Sequence, residues 1–271
     1  MDPQAVLATA VNPLIARVRV PGQTFPLPSG GLFYTNGELS PDCQNGEVHV
    51  YPMTAIDELV MKSVDKVFSG EAVKEIFARC IPQVLKVGAL SAKDVDYLLV
   101  ALRKVSYGSD FTITYQHTCE DAKEHEYAQS LDTFLQGVKS VNAVTKDQVF
   151  EFKLPNGQIV KYSPASYNDM VRLYQTQHAD LMRGEEPSAE EQLERAIDSV
   201  VTLVGAVDDI TDRAMIKEWL KSIPISWLRD ISTGAQPTTT WGVSFEVDLV
   251  CKDCKEPLRV PTPLNPISFF I

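Results

Sequence analysis

Val48-His-Val-Tyr-Pro-Met-Thr-Ala-Ile-Asp57 carries the chain from one kind of structure into another. Glu47 to Tyr51 alternates apolar and polar side chains, which predicts a short strand because successive strand residues point to opposite faces. Thr54-Ala-Ile-Asp57 then has the form of a capping box: the hydroxyl accepts an orphan amide, and the acid sits at the positive end of a helix. A strand therefore feeds a capped helix. Upstream, prolines at 3, 13, 21, 26, 28 and 41, with several Gly and Asn turn formers, rule out continuous helix after Pro13. Residues 1–50 read as an extended arm with short strands at 15–20 and 47–51. Such an arm either lies on its own body or reaches a neighbour.

Downstream, Ile56, Leu59, Val60, Val64, Val67 and Phe68 fall on one helical face until Gly70, and a buried stripe is expected there. A second helix aligns Val73, Ile76, Phe77 and Cys80 and closes at Pro82. A third starts at Ser91, holds Asp94 in its first turn, aligns Val95, Leu98, Leu99, Leu102 and Val105, and ends at Gly108. The period then changes to two, with Phe111, Ile113 and Tyr115 alternating against polar neighbours. Residues 148–154 and 158–162 flank Pro155-Asn-Gly157, a strong hairpin signal because Asn-Gly readily takes positive φ. Helices are predicted at about 166–183, 189–208 and 212–223, with Ser166-Tyr-Asn-Asp169 and Ser188-Ala-Glu-Glu191 as caps and Pro224 as a stop. A last strand spans 243–250.

The expected fold class is α+β: a helical bundle body with β-hairpins, a zinc-ribbon-like pair of knuckles and an extended N-terminal arm. The divisions are the arm (1–50), the bundle (51–108), a β-rich knuckle and hairpin region (109–163 and 241–271) and a helical insert (164–240).

A chain of 271 residues with 44% hydrophobic and 23% charged residues can bury a sizeable core. A net charge of -11 argues against broad contact with a nucleic-acid backbone, which needs clustered Lys and Arg. No window is apolar enough to span a bilayer, and Met1-Asp-Pro-Gln lacks the basic start of a secretory signal, so folding in a cytoplasm without nucleic-acid or membrane partners is expected. Five cysteines, an odd number, fit reduced thiols better than a disulfide framework.

One internal echo stands out. Cys119-Glu-Asp-Ala-Lys-Glu124 recurs as Cys251-Lys-Asp-Cys-Lys-Glu256, each after a predicted strand. Paired knuckles of this kind build a tetrahedral zinc site, although Ala122 stands where a second sulfur of the first knuckle would be. A Cys3His set could use Cys119, Cys251, Cys254 and either His117 or His125. The competing reading is a ribbon that keeps its shape without metal, and no cofactor is the expectation. A redox CxxC needs a following helix, which Pro257 opposes.

Catalytic signatures are missing from the sequence: it has no GxGxxG, no phosphate-cradling GKS or GKT, no GxSxG and no HExxH. Asp208, Asp209 and Asp212 read as capping acids, His49 and His178 as structural or solvated, and Trp219 as core beside Met215, Ile216 and Ile223. No enzyme activity and no catalytic residue are expected.

Leu27-Pro-Ser-Gly-Gly-Leu-Phe-Tyr34, the 48–57 stretch, Ser106-Tyr-Gly108, Leu154-Pro-Asn-Gly157 and Ile267-Ser-Phe-Phe-Ile271 occur in an order that resembles the baseplate protein family of contractile-tailed T-even-type bacteriophages, over roughly residues 25–271. The resemblance implies a noncatalytic structural component of the baseplate hub region, or a transient chaperone for hub assembly that is absent from the mature virion. It also implies a place in the virion tail after assembly in the host cytoplasm, with other tail proteins as partners in a symmetric assembly. On that reading Leu27, Pro28, Phe33 and Tyr34 of the arm and Phe269, Phe270 and Ile271 of the tail are the candidate partner-binding residues. A zinc-ribbon adaptor touching nucleic acid is the acid-disfavoured alternative.

Overall fold

Alternation in the arm and after Cys43 produces two strands that meet. In the computed structural model, which describes residues 20–43, 46–116, 119, 124–141, 150–183 and 188–262, β1 (Gln23–Pro26) pairs antiparallel with β2 (Glu47–Val50). Val48 and Val50 face inward against α3 (Glu71–Cys80) and α4 (Ala92–Tyr107), which follow the short α1 (Ala55–Met61) and α2 (Val64–Phe68). The capping box forms as expected: the Thr54 amide and hydroxyl each donate to Asp57 Oδ2 at 2.7 Å.

The stripe expected on the first helix is overturned. The chain breaks at Lys62 and Ser63 into α1 and α2, and α1 turns Asp57 and Met61 inward while Ile56 and Leu59 are 68% exposed and Val64 65%. The reason is polar. The Asp57 carboxylate accepts from Thr54 and, at 2.5 Å, from Arg79 Nε on α3, so rotating the helix to bury Ile56 would strip a charge of its donors. Burial pushes the Asp57 carboxyl up, but the Thr54 and Arg79 bonds outweigh it and hold the group below its ordinary value. Val60 and Val67 keep part of the expected packing, and Phe68 meets the rings of Tyr174 and His178.

On α3 and α4 the predicted apolar positions are the core: Val73, Ile76, Phe77, Cys80, Val95, Leu98, Leu99 and Leu102 are buried. Each such large side chain contributes about 1.5–3 kcal/mol. Asp96 lies half-buried on α4, where burial pushes its carboxyl up to about 6 against the partial relief of Lys93. A raised carboxyl costs stability once it ionises in the fold. Asp96→Asn should therefore match the parent below pH 3.8, gain on it as pH rises through about 6, and end about 1–2 kcal/mol more stable, read by urea unfolding across that window.

After Gly108 the chain forms β3 (Asp110–Gln116), β4 (Glu124–Ser130) and α5 (Leu131–Gln136), with β3 and β4 antiparallel and Ile113 and Tyr115 on the buried face. Next, β5 (Glu151–Lys153) and β6 (Ile159–Tyr162) make the Asn156-Gly157 hairpin, with Gly157 at φ 93°. Then come α6 (Tyr167–Arg183) and α7 (Ala189–Val201), the latter opened by the Ser188–Glu191 capping box.

The helix predicted through 208 ends sooner. Val204–Val207 is instead a strand, β7, that pairs antiparallel with β6 and completes a three-stranded sheet. β-Branched Val204 and Val207 around Gly205 fit a pleated edge better than a helix, and β6 offered an open row of backbone groups. Pro224, read only as a stop for α8 (Arg213–Ser222), also opens α9 (Ile225–Gly234), because its fixed φ of -57° suits the residue that launches a helix. The last predicted strand narrows to β8 (Glu246–Val250), antiparallel to β9 (Pro257–Pro261).

The architecture is α+β, with helices and small antiparallel sheets. Two apolar clusters hold it. One joins β1 and β2, α3, α4 and the inner faces of β3 and β8. The other joins the β5–β6–β7 sheet to α7, α8 and α9 around Val160, Ile197, Leu220 and Ile231.

Candidate functional site

The arm residues sit on the chain's own body. Leu27 is 3% exposed, Pro28 and Ser29 are buried, and consecutive positive φ values at Gly30 (61°) and Gly31 (77°) fold the Pro-Ser-Gly-Gly turn back on itself. The turn closes on Asp94, which is 0% exposed. The Ser29 amide donates to Asp94 Oδ1 at 3.0 Å, the Tyr34 hydroxyl donates to Oδ2, and that hydroxyl accepts from the Ser91 amide at 3.0 Å. Burial raises the Asp94 carboxyl, and the Ser29 and Tyr34 bonds oppose it. For Tyr34, burial and then the Asp94 charge drive the hydroxyl far above its ordinary range, so it is a permanent donor.

Phe33 points to the other cluster. Its ring meets Phe150 edge-on at 5.3 Å and stacks on Trp241 at 6.0 Å. Leu27 belongs to the first cluster and Phe33 packs on the second, so the stretch ties the two together. Of the residues expected to face a partner, Leu27, Pro28, Phe33 and Tyr34 are thus engaged within the chain, and Leu32 is the one beside them that stands out to solvent. Phe269, Phe270 and Ile271 lie outside the described residues.

A different surface is apolar and exposed. Ile56, Leu59 and Val64 are exposed on α1 and α2, and the Glu58 charge on α1 is felt by the exposed Tyr107. Lys62 and Glu58 pair at 3.3 Å on the same helix. Sequence reading missed this face because periodicity finds an apolar stripe without telling which way it points.

The two knuckle regions come together at the ends of their hairpins. The Sγ atoms of Cys119, Cys251 and Cys254 all lie within 4.8 Å of one another. His125 and Asp253 place a ring nitrogen and a carboxylate oxygen within the same distance of Cys251 Sγ. Two bonds latch the hairpins: His125 Nε2 to Asp253 Oδ2 at 2.6 Å and Lys252 Nζ to the Glu126 carbonyl at 2.5 Å. His117 lies outside the described residues.

Two of the acids read as caps have structural partners. Asp212 caps α8 by accepting from the Met215 amide at 2.9 Å, and Asp208 accepts from the Ile159 amide at 2.8 Å. His49 bonds Thr24 Oγ1 across β1 and β2 at 3.1 Å. No described helix is long and apolar enough to cross a membrane.

The model of a family described as T4 bacteriophage base plate protein matches residues 38–271. The chain belongs to that family. No curated protein and no solved structure matches it. In this base plate protein the matched span holds the α1–α2 face, the Asp94 anchor and the three gathered thiols, and it begins just past the Leu27–Tyr34 stretch. The chain is accordingly a bacteriophage tail protein of the base plate.

Proposed function

We propose that this base plate protein is a noncatalytic structural component of the hub region of a contractile tail, holding neighbouring tail proteins through the outward face of α1 and α2. One observation carries the reading: Ile56 and Leu59 stand exposed on α1, whose opposite side is locked by the buried Asp57 carboxylate, and Val64 stands exposed at the start of α2. A surface of this kind is pre-organised, so little ordering entropy is lost when a partner covers it. Each of the three side chains adds about 1.5–3 kcal/mol if fully buried, enough to anchor a contact but not to hold a complex alone. The net charge of -11 favours a partner with a basic rim, which steers approach more than it tightens binding.

Ile56→Asp with Leu59→Asp should leave the isolated protein folded, with stability within about 0.5 kcal/mol, because both side chains already face water. The same variant should fail to enter tails, read by the protein content of purified particles from a complementation experiment. Entry at the parental copy number would rule this face out. Mass spectrometry of mature particles separates the structural role from transient chaperoning of hub assembly: a fixed copy number supports the first, and absence of the protein the second.

A further inference from the structure

We propose that the ends of the β3–β4 and β8–β9 hairpins form a zinc site in which Cys119, Cys251 and Cys254 supply three thiolates and His125 the fourth ligand. Tetrahedral zinc with thiolates at about 2.3 Å sets its sulfurs roughly 3.8 Å apart. The three Sγ atoms lie within 4.8 Å of one another, so each has at most about 1 Å to close, a distance that side-chain rotation covers. This gathering comes from tertiary structure, since Cys119 and Cys251 reach it on separate hairpins.

The second knuckle is shaped for the task. The Cys251 amide donates to the Glu256 carbonyl at 2.9 Å and the Lys255 amide to the Cys251 carbonyl at 3.1 Å, closing a tight loop. Lys255, directly after Cys254, is held at φ 64°, a left-handed conformation that costs a lysine energy, and the two sulfurs of the loop lie within 4.8 Å of each other.

His125 comes from β4 and brings a ring nitrogen within 4.8 Å of Cys251 Sγ, while its Nε2 is held by Asp253 at 2.6 Å. A carboxylate bonded to the imidazole fixes the ring's orientation, as such partners do for ligand histidines generally. Three sulfurs and one imidazole nitrogen suit zinc over hard ions that prefer oxygen ligands. Binding displaces the thiol protons to solvent, so affinity falls as pH falls. This inference is independent of the proposed docking face.

The test uses the full-length chain, reduced and metal-free, titrated with Co2+ and then Zn2+. Expected are thiolate-to-cobalt charge transfer and intense visible bands of tetrahedral geometry at one equivalent, erased by one equivalent of Zn2+. Cys254→Ser, at an exposed position, should keep the fold and weaken Zn2+ binding more than 100-fold, whereas Cys43→Ser should not change it. Asp253→Asn should weaken it by roughly 10- to 100-fold. Weak octahedral cobalt spectra, no retained zinc, or two of the three thiols recovered as a disulfide from reducing cytoplasm would each overturn the site.

Discussion

Phe33→Ala combined with Tyr34→Ala should lower the stability of the isolated protein by about 4–6 kcal/mol. Removing Tyr34 takes a hydrogen bond from the carboxylate of Asp94, which is 0% exposed, and leaves it to the bonds from Ser29. A hydrogen bond to a charged group is worth about 1.5–3 kcal/mol, and the uncompensated charge adds to the loss. Phe33 forfeits its contacts with Phe150 and Trp241, which for a half-buried ring costs about 2–3 kcal/mol. The sum, about 4–6 kcal/mol, consumes much of the roughly 5–15 kcal/mol that a domain has. Tyr34→Phe alone should cost about 2 kcal/mol, read by urea unfolding. The loss should shrink in acid, because protonating Asp94 relieves the stripped charge. From the sequence, Phe33 and Tyr34 are expected to bind a partner, and a folded variant that is excluded from tails would support that partner-facing arm.

Asp169→Ala should cost on the order of 3 kcal/mol. Asp169, 2% exposed, accepts from the Ser166 hydroxyl at 2.6 Å at the start of α6 and from both terminal nitrogens of Arg213 on α8, the second at 2.9 Å. One carboxylate thereby caps one helix and ties it to another. Burial pushes its carboxyl up, but the Arg213 and Ser166 bonds outweigh that and hold it below 3.8. With a depressed carboxyl the stabilisation is complete above pH 3.8 and disappears as pH falls through the lower folded value. Asp169→Asn keeps the cap but not the charge, so its deficit should be intermediate at pH 7 and vanish in strong acid. A deficit that stays constant with pH would show that the ion pair contributes nothing.

Local chemistry was legible in advance. Thr54 with Asp57, Ser166 with Asp169 and Ser188 with Glu191 are caps because a side chain three residues on can reach the helix start, and that reach needs no distant partner. The Asn156-Gly157 turn and the alternation of β3 and β8 are local for the same reason. The pairing of β7 with β6 was hidden because it depends on a strand edge more than 40 residues away. Candidate thiols were visible as an echo, but not that His125 would sit beside Asp253.

By itself the sequence determined the helix starts capped by Thr54, Ser166 and Ser188, the Asn156-Gly157 turn, that the chain is acidic, and the order of motifs that places it among base plate proteins. Only the tertiary structure decided which side of α1 meets water, that Leu27 to Tyr34 close on Asp94, and that three cysteines meet. The physical reason is one of range. Propensity and capping act over a few residues, whereas burying a charge requires donors from wherever the fold can bring them, and here Asp57 and Asp94 took theirs from Arg79 and Tyr34.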